Sequence, residues 1–332
     1  MIARDADPAS RGDAYDPGRH RMAVACTVAT VALLSAGGLV TSTGSGLAVP
    51  DWPLSFGRFF PPLVGGVLYE HGHRLVAATV GLLTLVLAFW FQRAEPRAWV
   101  RRLALLALLA VVAQGVLGGV TVLLKLPAAV SVLHACLAQG FFCLMVVLAL
   151  ATSRRFVAGA DAPPADDGAP SLRWLAAGAT ALVYAQLILG AIMRHTGAGL
   201  AIPDLPLAFG RLVPPFLSFE ITVHFAHRIG ALVVAAAVGW TAARALRVGR
   251  GRRDFVIPAL LLIGLVVTQI LLGALTVLSR LAVVPATAHL VVGALLLATC
   301  LVLAVRAARV APGGARRRAG RAPVAAALEG AA

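Results

Sequence analysis

The sequence predicts an all-α integral membrane protein, with eight transmembrane helices forming two parallel-topology four-helix-bundle repeats related by pseudo-twofold symmetry. Three observations lead there: a composition too apolar for water, eight long apolar runs, and an internal duplication. Hydrophobic residues make up 60% of the 332 positions, charged residues 13%, and the mean hydropathy is +0.88. A soluble domain needs more charge than this to cover its surface. A bilayer core about 30 Å thick needs roughly 20 helical residues per crossing. Runs meeting that need lie at 22–42, 73–92, 102–124, 131–152, 172–193, 225–243, 255–278 and 286–305.

Taken in order, the first run follows a polar tail, 1–21. It lacks a small-residue cleavage site, and the segment after it, from Gly44, recurs later, so it reads as a span rather than a signal peptide. The first four spans make an N-terminal bundle over 22–152. A cytoplasmic connection, 153–171, follows; its Ala158–Pro170 stretch is rich in Ala, Pro, Asp and Gly and reads as flexible. The last four spans make a C-terminal bundle over 172–305, and a basic tail, 306–332, closes the chain.

The net charge of +15 invites a nucleic-acid reading, and its distribution rejects one. Of 29 Lys and Arg, 22 fall before Met22, at Arg93–Arg102, at Arg154–Arg173, at Arg244–Arg253 or after Val305. The alternate connections and their helix ends hold the other seven. This is the positive-inside pattern, which puts both termini and the central connection in the cytoplasm of a plasma-membrane protein. The tail arginines Arg316, Arg317, Arg318 and Arg321 are expected to meet anionic lipid. The four cysteines, Cys26, Cys136, Cys143 and Cys300, all fall within spans, so no structural disulfide is expected.

Residues Thr43–Pro62 and Thr196–Pro215 match at fourteen of twenty positions. The likeness continues through His73-Arg74 with His227-Arg228, Gln114 with Gln269, and His134 with His289. A duplicated unit with an even helix number gives two halves of the same orientation, related by an axis along the membrane normal. In each half the loop after the first span is long and rich in Gly and Pro. It carries one acid, Asp51 or Asp204, and one arginine, Arg58 or Arg211. Such loops are either caps over what the bundles hold or turns kept by duplication alone. Gly44, Gly46, Gly197 and Gly199 suit tight backbone turns there.

His73, His134, His227 and His289 each sit near the start of a span running from outside to inside, and so near the outer face. Polar residues inside a span are costly and tend to mark function. Two imidazoles on facing helices of a bundle are a natural axial pair for haem iron, whereas two ligands are too few for zinc. Arg74 and Arg228 directly follow a ligand in each half and are candidate haem propionate contacts; a snorkelling helix-end role competes. Gln114 and Gln269 are expected to hydrogen-bond within the bundles, and His20, His71 and His195 to be solvated or interfacial.

The halves differ three residues before the first histidine of each pair, where Glu70 stands against His224. The i, i+3 spacing puts each on the ligand's face of its helix. An unpaired carboxylate beside a reactive centre can act as general base or stabilise a cationic intermediate. Glu70 therefore marks the first half as the reaction site, and the second half as the holder of a permanent haem that relays electrons.

The runs GGLVTSTGSGLAVPDWP, EHGHRLVA, RHTGAGLAIPDLPLAFG, HACLAQ and HLVVGA resemble the haem A synthase family over 22–305. The resemblance implies oxidation of a haem O methyl group to a formyl group, through a hydroxymethyl stage, for cytochrome oxidase assembly. It implies haem b as cofactor, ligated by His227 and His289. By the same resemblance, substrate haem O would lie between His73 and His134, and Glu70 would be the catalytic acid of an E-x-x-H motif. Candidate partners are the farnesyltransferase that makes haem O, an electron donor, membrane lipid and a second copy of the chain. Two departures stand out: the outer loops lack the cysteine pair that many members carry, and Leu205 replaces the tryptophan seen at Trp52. The competing reading is a di-haem membrane cytochrome b that carries electrons without chemistry on haem; it has no need of Glu70. A transporter, the third reading, lacks support because the polar residues are not at mid-membrane.

Overall fold

The computed structural model describes residues 15–159, 166 and 170–309. The tail arginines expected to meet lipid, Arg316, Arg317, Arg318 and Arg321, lie outside the described residues, as do part of the 153–171 connection and most of the N-terminal tail. Eight long helices carry the fold: α1 (Pro17–Ser42), α2 (Gly66–Ala94), α3 (Ala98–Leu123), α4 (Ala128–Thr152), α5 (Leu172–His195), α6 (Phe219–Val248), α7 (Arg253–Leu278) and α8 (Val283–Ala308). Each is long and apolar enough to cross a membrane.

Helix boundaries follow capping and backbone bonding rather than hydropathy. Asp16 starts α1 by accepting the Gly18 N–H at 2.7 Å, with Pro17 preorganised in the first turn. Ser218 starts α6, its hydroxyl accepting the Ile221 N–H. Thus α6 begins at Phe219, and α2, which has no side-chain cap, begins at Gly66; both start several residues before the expected 225 and 73. Polar side chains dim the hydropathy there, but the backbone ladder runs on regardless. The four histidines therefore sit roughly 9–12 Å inside their helices, taking 1.5 Å per residue, rather than at the helix starts.

In the first half α1 packs on α2, α2 on α3, α3 on α4 and α4 on α1; α5 to α8 repeat this order. The halves meet through α1 against α8, α4 against α5, and α4 against α8. Each bundle has its own core, with Phe91, Phe141 and Met145 in the first and Phe255, Leu262 and Leu297 in the second. Leu34, Phe142, Val146 and Ala294 fill the seam. Small residues such as Ala104, Ala107, Ala176 and Ala242 are fully buried at helix contacts, which lets the backbones approach closely. Large residues face outward: Leu109, Leu232 and Leu271 are each more than 60% exposed, as lipid-facing positions should be. The four cysteines are free, as expected.

At the end where α1 begins and α8 finishes, buried acids hold the short connections. Glu95 pairs with Arg19 at 2.8 Å and with Arg97 at 2.6 Å; Asp254 pairs with Arg252 and Arg155. At the other end the two long loops, 43–65 and 196–218, adopt the same backbone. Asp51 accepts the N–H groups of Phe56 and Gly57 at 2.7 and 2.8 Å, and Asp204 accepts those of Phe209 and Gly210. Phe56 and Phe209 have φ of 53° and 56°, a left-handed conformation that the aspartate bonds offset. The bonds from Gly57 and Phe56 hold the Asp51 carboxyl below the usual range, and those from Gly210 and Phe209 do the same for Asp204. The loop glycines divide their work. Gly44 and Gly197 have positive φ, whereas Gly46 and Gly199 make room for the side chains of Leu126 and Leu281.

Candidate active and haem-binding sites

In each half the two histidine-bearing helices, α2 and α4 or α6 and α8, face each other across the diagonal of the four-helix ring. Each imidazole lies against a glycine of the preceding helix. A Cβ at Gly37 would meet Cε1 of His73 at 3.1 Å, one at Gly118 that of His134 at 3.3 Å. One at Gly190 would meet His227, and one at Gly273 would meet His289, both at 3.1 Å. These glycines are slots for flat rings: any larger residue pushes the imidazole inward. They are matched between the copies, a signal the sequence already contained, since Gly37 pairs with Gly190 and Gly118 with Gly273.

The pairs fit haem in three respects. The rings of His227 and His289 are 6.5 Å apart between centroids, close to the ~6 Å expected for two imidazoles sharing one metal through bonds of about 2 Å. Among the described residues no group of three or more His, Cys, Asp or Glu is placed to hold a bare ion, whereas porphyrin supplies its own four nitrogens. Buried ring nitrogens also stand without partners: Nδ1 of both His73 and His134.

The C-terminal pair is held differently. His289 Nδ1 lies 3.1 Å from the Gln269 carbonyl, an acceptor, which leaves Nε2 as the lone-pair nitrogen. The Gln269 side chain is 3.3 Å from that Nε2. Gln186 donates to the His227 carbonyl at 2.7 Å and lies 3.1 Å from its Nδ1. In the first half Gln114 reaches the His134 carbonyl at 2.8 Å, but among the described residues no side chain hydrogen-bonds Nδ1 of either ring. Sequence reasoning missed Gln186. Its signal was a paired difference: Gln186 packs over Gly230, where the first copy has Leu33 and Val76.

Glu70 is 3% exposed and paired, contrary to the free carboxylate expected from sequence. Its Oε2 accepts the Val49 N–H at 2.8 Å, and its Oε1 pairs with Arg74 at 2.6 Å. Arg74 also donates to the carbonyls of Asp51 and Leu54. In the second copy His224 Nδ1 accepts the matching Ile202 N–H at 3.3 Å, and Arg228 donates to the carbonyls of Ile202 and Leu207. Both arginines thus turn their forked ends into the loops, and both loops are latched over the bundles. His71, expected to be solvated or interfacial, is 5% exposed, with Nδ1 2.8 Å from the Ser55 hydroxyl. The i+1 neighbour of Glu70 faces the loop because that loop folds down over the helix start, which periodicity does not reveal.

Trp52 and Leu205 differ as expected. The indole lies on α3 at Gly119, where a Cβ would come within 2.6 Å of it. In the sequence of the second copy, Ala274 stands at the position of Gly119 and Leu205 at that of Trp52.

Residues 20–301 match the family model described as cytochrome oxidase assembly protein, COX15-CtaA. The chain belongs to this family. Its relatives include a heme A synthase of Symbiobacterium thermophilum, 36% identical over 219 residues, which cover 63% of this chain and 70% of the relative. The heme A synthase of Geobacillus kaustophilus is 33% identical over 80% of this chain and 84% of its own length. That of Halalkalibacterium halodurans is 30% identical over 82% and 91%. Family membership and eight apolar helices together make this a multi-pass membrane protein of haem metabolism.

Proposed function

We propose that the chain is a haem A synthase, oxidising a methyl group of haem O to a formyl group through a hydroxymethyl stage. The observation that carries this reading is the glycine-slotted histidine pair, present once in each bundle beneath a latched loop. Substrate haem O binds in the N-terminal bundle between His73 and His134, and haem b in the C-terminal bundle between His227 and His289. The contrast in ring partners supports this division. Imidazoles that keep a metal donate their second N–H to an acceptor, and His289 has one in the Gln269 carbonyl, 3.1 Å from Nδ1. Among the described residues, Nδ1 of His73 and of His134 has no such partner, which suits a porphyrin that must enter and leave.

Bound haem b supplies one-electron exchange. The chain's own residues do the rest: the histidines orient each porphyrin, the loops keep water from the reacting edge, and Glu70 brings a carboxylate to the substrate side alone. The protein sits in the plasma membrane with both termini cytoplasmic and both sites toward the outer face.

Pyridine haemochrome analysis of the full-length protein, purified from cells that supply haem O, tests the function. Haem b together with haem O or haem A is the expected content. Haem b alone, with no haem A made, would instead identify an electron-carrying cytochrome. The slots make a second prediction. Gly273→Val overfills the space at His289 by an amount that typically costs ~1–3 kcal/mol. Haem b retention should then fall about 5- to 100-fold, with the helical circular dichroism unchanged.

A further inference from the structure

We propose that Arg194 binds a propionate carboxylate of the porphyrin held between His227 and His289. The inference rests on the haem-site reading above. Arg194 lies four residues beyond Gly190, the slot for His227, so it shares that face of α5 about 6 Å closer to the loops. Its Nη2 donates to the Gly38 carbonyl at 3.0 Å and to the Ser42 hydroxyl at 2.6 Å, both on α1. Thr287 shares that hydroxyl at 3.1 Å and stands two residues before His289 on α8. The guanidinium therefore sits at the rim of the C-terminal histidine pair, on the seam between the halves.

Every protein partner it has is neutral. None of the ion pairs among the described residues includes Arg194. Its Nε and Nη1 donate to nothing among those residues. A partly buried cation at a membrane helix end is costly without a counter-ion, and a guanidinium fork matches a carboxylate bidentately. Arg74 and Arg228, the arginines next to the ligands in sequence, are already taken up by loop carbonyls. The first copy has Thr41 at the position of Arg194, so the feature belongs to the C-terminal site alone.

The test compares ferric haem b with its dimethyl ester, each titrated into the full-length protein purified from haem-starved cells. Wild type should prefer the free acid by ~10–100-fold, the range for a hydrogen bond to a charged group. Arg194→Gln should bring that preference close to one while leaving ester binding unchanged; Arg194→Lys should keep part of it. A helix-bridging role alone would weaken both porphyrins equally in Arg194→Gln, or leave both untouched, and either result overturns the proposal. Failure of wild type to bind either porphyrin would instead remove the histidine site on which the proposal rests.

Discussion

Glu70→Gln is expected to retain haem binding and stop conversion, so that the pigment extracted from cells is haem O or its hydroxymethyl form. Glutamine keeps the size of the side chain, and its carbonyl oxygen can still accept the Val49 N–H that Glu70 accepts at 2.8 Å. What disappears is the charge and the 2.6 Å pairing with Arg74. The second copy separates these roles: His224 holds the matching Ile202 N–H without a carboxylate, so latching the loop does not require charge. An effect on conversion with the loop still latched would therefore belong to the carboxylate. General acid–base groups typically contribute 10²–10⁴-fold, so haem A should fall below detection in a cell extract. Glu70→His, which copies the second half, should behave in the same way. A normal haem A yield from either variant would remove Glu70 from the chemistry and leave it as a latch.

His227→Ala and His289→Ala should each abolish the resident haem b spectrum, whereas His73→Ala and His134→Ala should leave it in place. The argument is geometric. In the proposed site two rings 6.5 Å apart would supply one ligand each, so deleting one would halve the axial set and open a gap against Gly190 or Gly273. The measurement is the reduced-minus-oxidised difference spectrum of purified protein, normalised to protein content. An unchanged α-band in the His227 and His289 variants, with loss in the His73 and His134 variants, would reverse the assignment of the two halves.

Much of the candidate site was legible beforehand because a duplication is its own control. Residues kept at the same place in both copies, the four histidines and the two loop aspartates, stood out against a background of interchangeable Leu, Val and Ala. Helix starts were less legible. Glu70, His71 and His73 lower local hydropathy, so α2 seemed to begin seven residues late, although helical bonding depends on the backbone. Partnerships were not legible at all. Glu70 looked free, and His71 looked solvated, because nothing in one helix's pattern reveals a loop folding back from twenty residues upstream. Gln186 and Arg194 escaped notice because each lacks a counterpart in the other copy, and repeat comparison favours what is shared.

By itself the amino-acid sequence determined the membrane class and the eight apolar helices, and its internal repetition singled out the four histidines as candidates. Those follow from solvent preference and from repetition, and both are properties of the chain read in one dimension. Tertiary structure alone decided which nitrogen, carboxylate and guanidinium finds which partner. Hydrogen bonds and ion pairs act over about 3 Å, so they depend on helices and loops far apart in the chain being brought together.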